Sequence, residues 1–310
     1  MLPTHEALFE GLAAALGRPV EIVRREPHLY ASSFPAEVIR CREEGREELR
    51  MLGKYEIRQP RTTYGHRGGV DYERFVYEKL LARLSLSHVT FMGATAEAGT
   101  GATWLFLEYL GDGVRADEVD DPAQALRTAA AWIGDFQRLS SGLLDQGGLD
   151  FLHVHDRDYY AGWAGRAAVF AERAGVGASW LPLVRDRIDH VADVLLSEPR
   201  SVIHGEFTPH NVLIRAGRAH PVDWESAAIG AGETDIVSLT QKWPAEVVSS
   251  CEEAYAQARG LGELDPVRVD AARIYWDLRW LGDRPEWLSQ PKVRARLDFV
   301  RDAAERLGIL

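Results

Sequence analysis

The first third of the chain alternates short apolar runs with polar breaks, and the remainder shifts to helical spacing. An opening helix is predicted in "MLPTHEALFEGLAAALG". The following stretch, "RPVEIVRREPHLYASSFPAEVIRCREEGREELRMLGKYEI", switches between apolar and polar residues and is broken at Pro27, Pro35 and Gly45. That is the pattern of an antiparallel strand meander. Within it "VIRCR" and "ELRMLGKYEI" flank the turn "EEGRE", predicting a hairpin that carries Lys54 on its second strand. From Val70 the period lengthens, and Phe75, Val76, Leu80, Leu81 and Leu84 fall on one helical stripe. A further strand pair is predicted in "VTFMGATAEAG" and "ATWLFLEYLGDG". The long helix that follows, "DPAQALRTAAAWIGDFQRLSSG", opens with Asp121 as a cap and Pro122 in its first turn. Later helices are predicted at about 158–174, 180–197, 232–242, 245–259, 266–281 and 291–307.

A small β insert interrupts these helices. In "SVIHGEFTPHNVLI" the polar residues His204, Glu206, His210 and Asn211 sit between two aliphatic runs, and Gly205 and Pro209 force a turn. Downstream, "HPVDWESAAIG" reads as another short strand whose end carries Asp223 and Glu225. Two acidic turns after adjacent, parallel-looking strands can converge on one cation. The predicted layout is therefore a mainly β part over residues 1–108, a link near Leu107 to Gly113, and a mainly helical part over residues 109–310. Its class is α+β. The chain has no internal repeat and no low-complexity segment.

Composition narrows the function. Of 310 residues, 46% are hydrophobic and 27% charged, so most of the chain should fold. Lys and Arg total 36 against 47 Asp and Glu, a formal charge of −11 with no basic run to offset it, which argues against an electrostatic grip on nucleic acid. An acidic surface attracts cationic substrates such as amino sugars, and it also serves solubility. Cys41 and Cys251 are far apart, which suits neither a disulfide framework nor a zinc ribbon. The first residues lack the basic start and long apolar core of a signal peptide, and no window approaches a membrane span. A cytoplasmic protein is the expectation.

Three chemistries fit the polar loop. His204, Glu206 and His210 are suitable ligands for a transition metal, although they lie on a turn instead of the helical HExxH arrangement. The same residues could merely satisfy backbone groups within the turn. Phosphoryl transfer needs a carboxylate to orient a hydroxyl and take its proton, with hard oxygen ligands for magnesium. Glu206, then Asn211 five residues later, then Asp223, supply those parts in that order.

"HGEFTPHN" resembles the catalytic loop HGDxxxxN of the aminoglycoside phosphotransferase family, the small-molecule branch of the protein-kinase-like fold, and "VDWE" resembles that family's metal-binding turn. The resemblance implies a bilobal protein-kinase-like fold with an antiparallel-sheet N-lobe and a mainly helical C-lobe. It implies ATP or GTP with Mg2+ as cofactors, Glu206 as the base, His204 as a lock on the loop, and Asn211, Asp223 and Glu225 around the metal. A lysine paired with a helix glutamate would hold the nucleotide phosphates. Lys54 with Glu73 fits, and Glu78 is the alternative partner. "WLFLEYLGDG" resembles the hinge, where backbone groups near Glu108 and Leu110 would bond the base. Asp235, in "GETDIVSLT", would bond back to the catalytic loop. The resemblance spans nearly the whole chain and is weakest before Pro35.

Two departures stand out. The family's aspartate is Glu206 here, one methylene longer. The loop "PHLYASSFPAE" lacks the glycines that let a backbone approach phosphates closely, so Ser32 and Ser33 become the candidate phosphate donors. For the acceptor, "YWDLRWLGDRPEWL" offers Trp276, Asp277 and Trp280, and "HVHDRDYYAGW" offers Asp156 and Asp158, as aromatic and acidic groups suited to a sugar or an ammonium. The implied activity is a small-molecule kinase, with an aminoglycoside or related antibiotic leading and a choline-like alcohol or sugar open. A nucleotide-binding pseudokinase is the alternative.

Overall fold

The computed structural model describes residues 2–29, 34–42, 47–57, 64–197 and 200–310. In chain order, α1 (His5–Leu16) precedes β1 (Glu21–Pro27), β2 (Ala36–Arg42) and β3 (Glu48–Tyr55). Then come α2 (Val70–Phe75), β4 (Phe91–Ala96), β5 (Thr103–Glu108) and the short β6 (Val114–Arg115). Next are α3 (Pro122–Leu144), β7 (His153–Val154), α4 (Arg157–Ala174), α5 (Leu181–Asp186) and α6 (Ile188–Leu196). The insert supplies β8 (Ser201–Ile203), β9 (Val212–Arg215), β10 (Arg218–Pro221) and β11 (Ala228–Gly230). The chain ends in α7 (Glu233–Thr240), α8 (Ala245–Arg259), α9 (Pro266–Asp283) and α10 (Val293–Arg306).

The five N-terminal strands form an antiparallel sheet in the order β1-β2-β3-β5-β4. Strand alternation explains its two faces. Met51 and Tyr55 join the buried cluster beneath α1, while Leu52 and Lys54 line the cleft on the other side. The hairpin predicted around Lys54 forms, with Ala36 opposite Lys54, although residues 43–46 of its turn lie outside the described segments. The predicted helix after Val70 also forms, but Val76–Leu80 is a π-turn and Leu81–Arg83 a 3-10 turn.

The helical part packs on two levels. α3 lies against α8, and their close approach requires Gly134, where a Cβ would come within 2.6 Å of the Tyr255 carbonyl oxygen. α9 is buried along most of its length among α4, α6, α7 and α10. Asp121 caps α3 as predicted, accepting from the Gln124 amide. The helix predicted at 180–197 divides at Arg187, which leaves helical geometry and donates to the Ile309 carbonyl near the C-terminus.

Two three-stranded sheets, β10-β9-β6 and β7-β11-β8, complete the fold. The strands before the two acidic turns are therefore not neighbours in one parallel sheet. β8 pairs with β11, and β10 pairs antiparallel with β9. The turns meet because both sheets are held over α3, not because their strands adjoin. Among the described residues no helix is long and apolar enough to cross a membrane.

Candidate active site

A cleft of about 390 Å³ opens between the five-stranded sheet and the β9–β10 hairpin. Ala36, Leu52, Leu107, Leu213 and Val222 contribute apolar walls, and Lys54, Glu73, Asn211 and Asp223 make one end polar. Lys54 Nζ lies 2.5 Å from Glu73 Oε2 and 2.8 Å from Asp223 Oδ1. Burial would lower the lysine pKa, but Asp223 and Glu73 together raise it well above the ordinary value, so Lys54 is a fixed cation. Glu73 is held from behind as well, since Glu73 Oε1 accepts from the Trp224 amide at 3.4 Å. Glu78, the alternative partner, is instead paired with Arg74.

The loop between β8 and β9 is anchored at several points. His204 and Gly205 donate their backbone amides to the two carboxylate oxygens of Asp235, each at 2.9 Å. The His204 ring bridges outward: Nε2 donates to the Val222 carbonyl at 3.0 Å, and Nδ1 accepts from the Glu206 amide at 3.3 Å. Those roles require a neutral imidazole, and burial pushes its pKa down to about 4. His204 thereby ties the loop to the residue just before Asp223. Asp223 itself stands at φ 66, left-handed backbone that aspartate tolerates better than most residues.

Gly205 has φ 81, and a Cβ there would lie 2.1 Å from the Ser226 carbonyl oxygen. Only glycine permits the two turns to press together so closely. Gly205→Ala is expected to displace the loop and lower turnover by about a hundredfold, the scale of a 1 Å error in position. Steady-state kinetics beside a thermal melt would read this, and unchanged turnover in a folded variant would refute it.

Asn211 donates from Nδ2 to the Glu206 carbonyl at 3.0 Å. That leaves Asn211 Oδ1 and the Asp223 carboxylate as hard oxygen donors on the cleft wall. A magnesium ion carried on nucleotide phosphates takes only one or two protein donors, which this pair fits. Glu225 is placed differently. It is 1% exposed and pairs with Arg67 Nε at 3.3 Å instead of lining the cleft. Its pKa rises to about 7, from burial and from the neighbouring charge of Asp223. Among the described residues no group of three or more His, Cys, Asp and Glu side chains could hold a metal ion.

Glu206 is gripped by two arginines that the motif did not announce. Arg279 Nη2 donates to Oε1, Arg67 Nη2 donates to the same oxygen at 2.7 Å, and His66 Nε2 stands 3.6 Å from it. Burial would raise the carboxyl pKa, but Arg279 and Arg67 outweigh it and hold Glu206 well below the usual carboxylate range. Sequence reasoning missed both arginines. Two signals were available: Arg67 is embedded in the glycine-flanked "GHRGG", and Arg279 occupies the interior of an otherwise buried helix.

At the predicted hinge, Leu110 and Glu108 both line the cleft. The Glu108 carboxylate is engaged by Thr90 and Arg215, and its backbone amide donates to the Thr90 carbonyl at 2.8 Å. Ser32 and Ser33 lie outside the described residues. His210 pairs with Asp117 at 3.0 Å on the edge of the cleft.

The five acceptor candidates do not form an acidic aromatic cage. Asp277 is fully buried and held by Arg296 and Gln241. The Trp276 ring lies under the Arg279 guanidinium. Trp280 stacks on Trp287 and is already covered by Lys292 and Arg296. Asp156 caps α4, accepting from the Tyr159 amide at 2.9 Å. Asp158 is exposed in the first turn of that helix. Around Trp276, Asp277 and Trp280 the chain's own cations take the places that an ammonium substrate would need.

Known proteins resemble this chain in sequence and in fold. The model of the phosphotransferase enzyme family (APH) matches residues 54–271, more than two thirds of the chain. No curated protein sequence matches significantly. Among solved structures, spectinomycin phosphotransferase in complex with ADP and spectinomycin aligns over 100% of both chains, at 10% identity and TM-score 0.63. Choline kinase LicA from Streptococcus pneumoniae aligns over 94% of this chain and 95% of its own, at 12% identity and TM-score 0.60. Macrolide 2'-phosphotransferase MphH from Brachybacterium faecium aligns over 97% of both, at 17% identity and TM-score 0.57. At such identities the likeness is one of fold, the bilobal protein-kinase-like fold.

Proposed function

We propose that this chain, which belongs to the phosphotransferase enzyme family, moves the terminal phosphoryl group of ATP or GTP to a hydroxyl of a small molecule. The observation that carries the reading is the joining of Lys54, Glu73 and Asp223 at the polar end of an apolar-walled cleft, with Asn211 on the same wall. Residues 1–108 would form the nucleotide-binding lobe and residues 109–310 the catalytic and acceptor lobe. Lys54, kept in place by Glu73, would bind phosphate oxygens. Asn211 and Asp223 would hold magnesium, whose charge offsets that of the phosphates. Backbone groups at Glu108 and Leu110 would meet the base. His204 and Asp235 would keep the loop rigid, and Glu206 would orient the acceptor hydroxyl and receive its proton. Fixed charges in a partly dry cleft favour such a transfer because they need no reorganisation as the reaction proceeds.

For the acceptor we favour a hydroxylated compound of the kind for which the structural neighbours are named, among them aminoglycosides, macrolides, spectinomycin and choline. Engagement of Asp277 and Trp280 by Arg296 and Lys292 weighs against recognition of a polycationic aminoglycoside through those two residues. The test is magnesium-dependent release of ADP or GDP across a panel of aminoglycosides, macrolides, choline-like alcohols and sugars. Stimulation by at least one compound is expected. Absence of stimulation across the panel, with nucleotide bound, would favour the pseudokinase.

A further inference from the structure

A glutamate in place of the loop aspartate carries one more rotatable bond, and an unrestrained carboxylate would sample positions differing by more than the roughly 1 Å that catalysis tolerates. Something must fix it. Arg279 is itself fixed: Nη1 donates to the Gly205 carbonyl at 2.7 Å, its guanidinium lies 4.9 Å from the Trp276 ring centroid, and Nη2 reaches Glu206 Oε1. One side chain thus grips both the loop backbone and the carboxylate. Arg67 adds a second arm from the connection between β3 and α2. It reaches Oε1 at 2.7 Å while also facing Glu225 at 3.3 Å and Asp283 at 3.7 Å. All of these contacts, with that of His66, fall on Oε1. Among the described residues nothing is bonded to Oε2.

We propose that Arg279 is a positioning residue for phosphoryl transfer, which with Arg67 locks Glu206 by Oε1 and reserves Oε2 for the acceptor hydroxyl. This rests on the phosphotransferase reading above. In the step so arranged, the acceptor O–H proton passes to Oε2 as the acceptor oxygen bonds to the terminal phosphorus. The bond from that phosphorus to its bridging oxygen breaks, and the electron pair leaves with the nucleoside diphosphate. The clamp explains how a longer carboxylate can serve in a loop built for a shorter one. Because one arm comes from the helical part and the other from the connection beside the sheet, the carboxylate is set by both halves of the molecule.

The test uses Arg279→Lys, which keeps the charge but cannot hold backbone and carboxylate together through a planar fork. With an acceptor identified by the panel, kcat is expected to fall by about a hundredfold and the KM for ATP to stay unchanged. In the Glu206→Gln background, the same substitution is expected to cost less than about twofold, because no base remains to be positioned. Crystal structures of the full chain supply a readout that needs no turnover: in Arg279→Lys the Glu206 carboxylate is expected to leave the position it holds between Arg279 and Arg67. An unmoved Glu206 would overturn the proposal, as would wild-type kcat in Arg279→Lys or equal fractional losses in both backgrounds. Failure of every acceptor would count against the phosphotransferase reading, whereas the crystallographic result still decides the clamp.

Discussion

Glu206→Gln is expected to lower the turnover of phosphoryl transfer by about 10²–10⁴-fold, the usual contribution of a positioned general base, with nucleotide affinity unchanged. Glutamine is nearly isosteric and can still accept a hydrogen bond, but it cannot take a proton to become an acid. Nucleotide affinity should persist because Glu206 is not among the residues lining the cleft that holds Lys54 and Asp223. The substitution also removes a charge that Arg279 and Arg67 share. Arg67 keeps Glu225 and Asp283 as partners, and Arg279 keeps the Gly205 carbonyl. Glu206→Asp restores the charge while withdrawing the carboxylate from the clamp, and is expected to lose about a hundredfold. Steady-state kinetics, calorimetry with ADP and a thermal melt on each variant separate these effects. Weakened nucleotide binding in step with turnover would be the wrong result.

The second large effect is expected at Lys54. Lys54→Met should lower turnover by about 10²–10³-fold, the scale for loss of one fixed electrostatic contact to the reacting group. It should also destabilise the fold by about 3–5 kcal/mol, because Glu73 and Asp223 lose the cation that compensates them. Glu73 is only 1% exposed, so its unpaired charge accounts for most of that cost. Adding Glu73→Gln removes the uncompensated charge, and Lys54→Met with Glu73→Gln is expected to recover much of the stability and none of the activity. Denaturant unfolding and kinetics on the single and double variants check both parts. Recovery of activity in the double variant would show that Lys54 acts only on stability.

What the sequence made legible was whatever is encoded within a few residues or by period. The alternation around Lys54 yields a sheet with one face toward the cleft, and the stripe after Val70 yields the helix that presents Glu73. The "HGEFTPHN" spacing yields a loop whose His204 and Asn211 make backbone bonds within two and five residues of Glu206. What stayed hidden depends on contacts across the chain. Arg67 and Arg279 reach Glu206 over 139 and 73 residues of sequence, so neither is announced by local spacing. The two-residue strands β6 and β7 exist only through pairing with distant partners. The tryptophan-rich helix looked like a cation site because residue types do not disclose partners. In the folded chain, Arg296 and Lys292 come from a separate segment to occupy it.

The most direct test of phosphoryl transfer with Glu206 as base is phosphorus NMR of magnesium, ATP and an acceptor from the panel, run in parallel with wild type and Glu206→Gln. The expected result is a new phosphomonoester resonance that grows with that of ADP for the wild type and is absent for the variant. Formation of ADP with inorganic phosphate alone, or the same phosphomonoester at the same rate from Glu206→Gln, would contradict it.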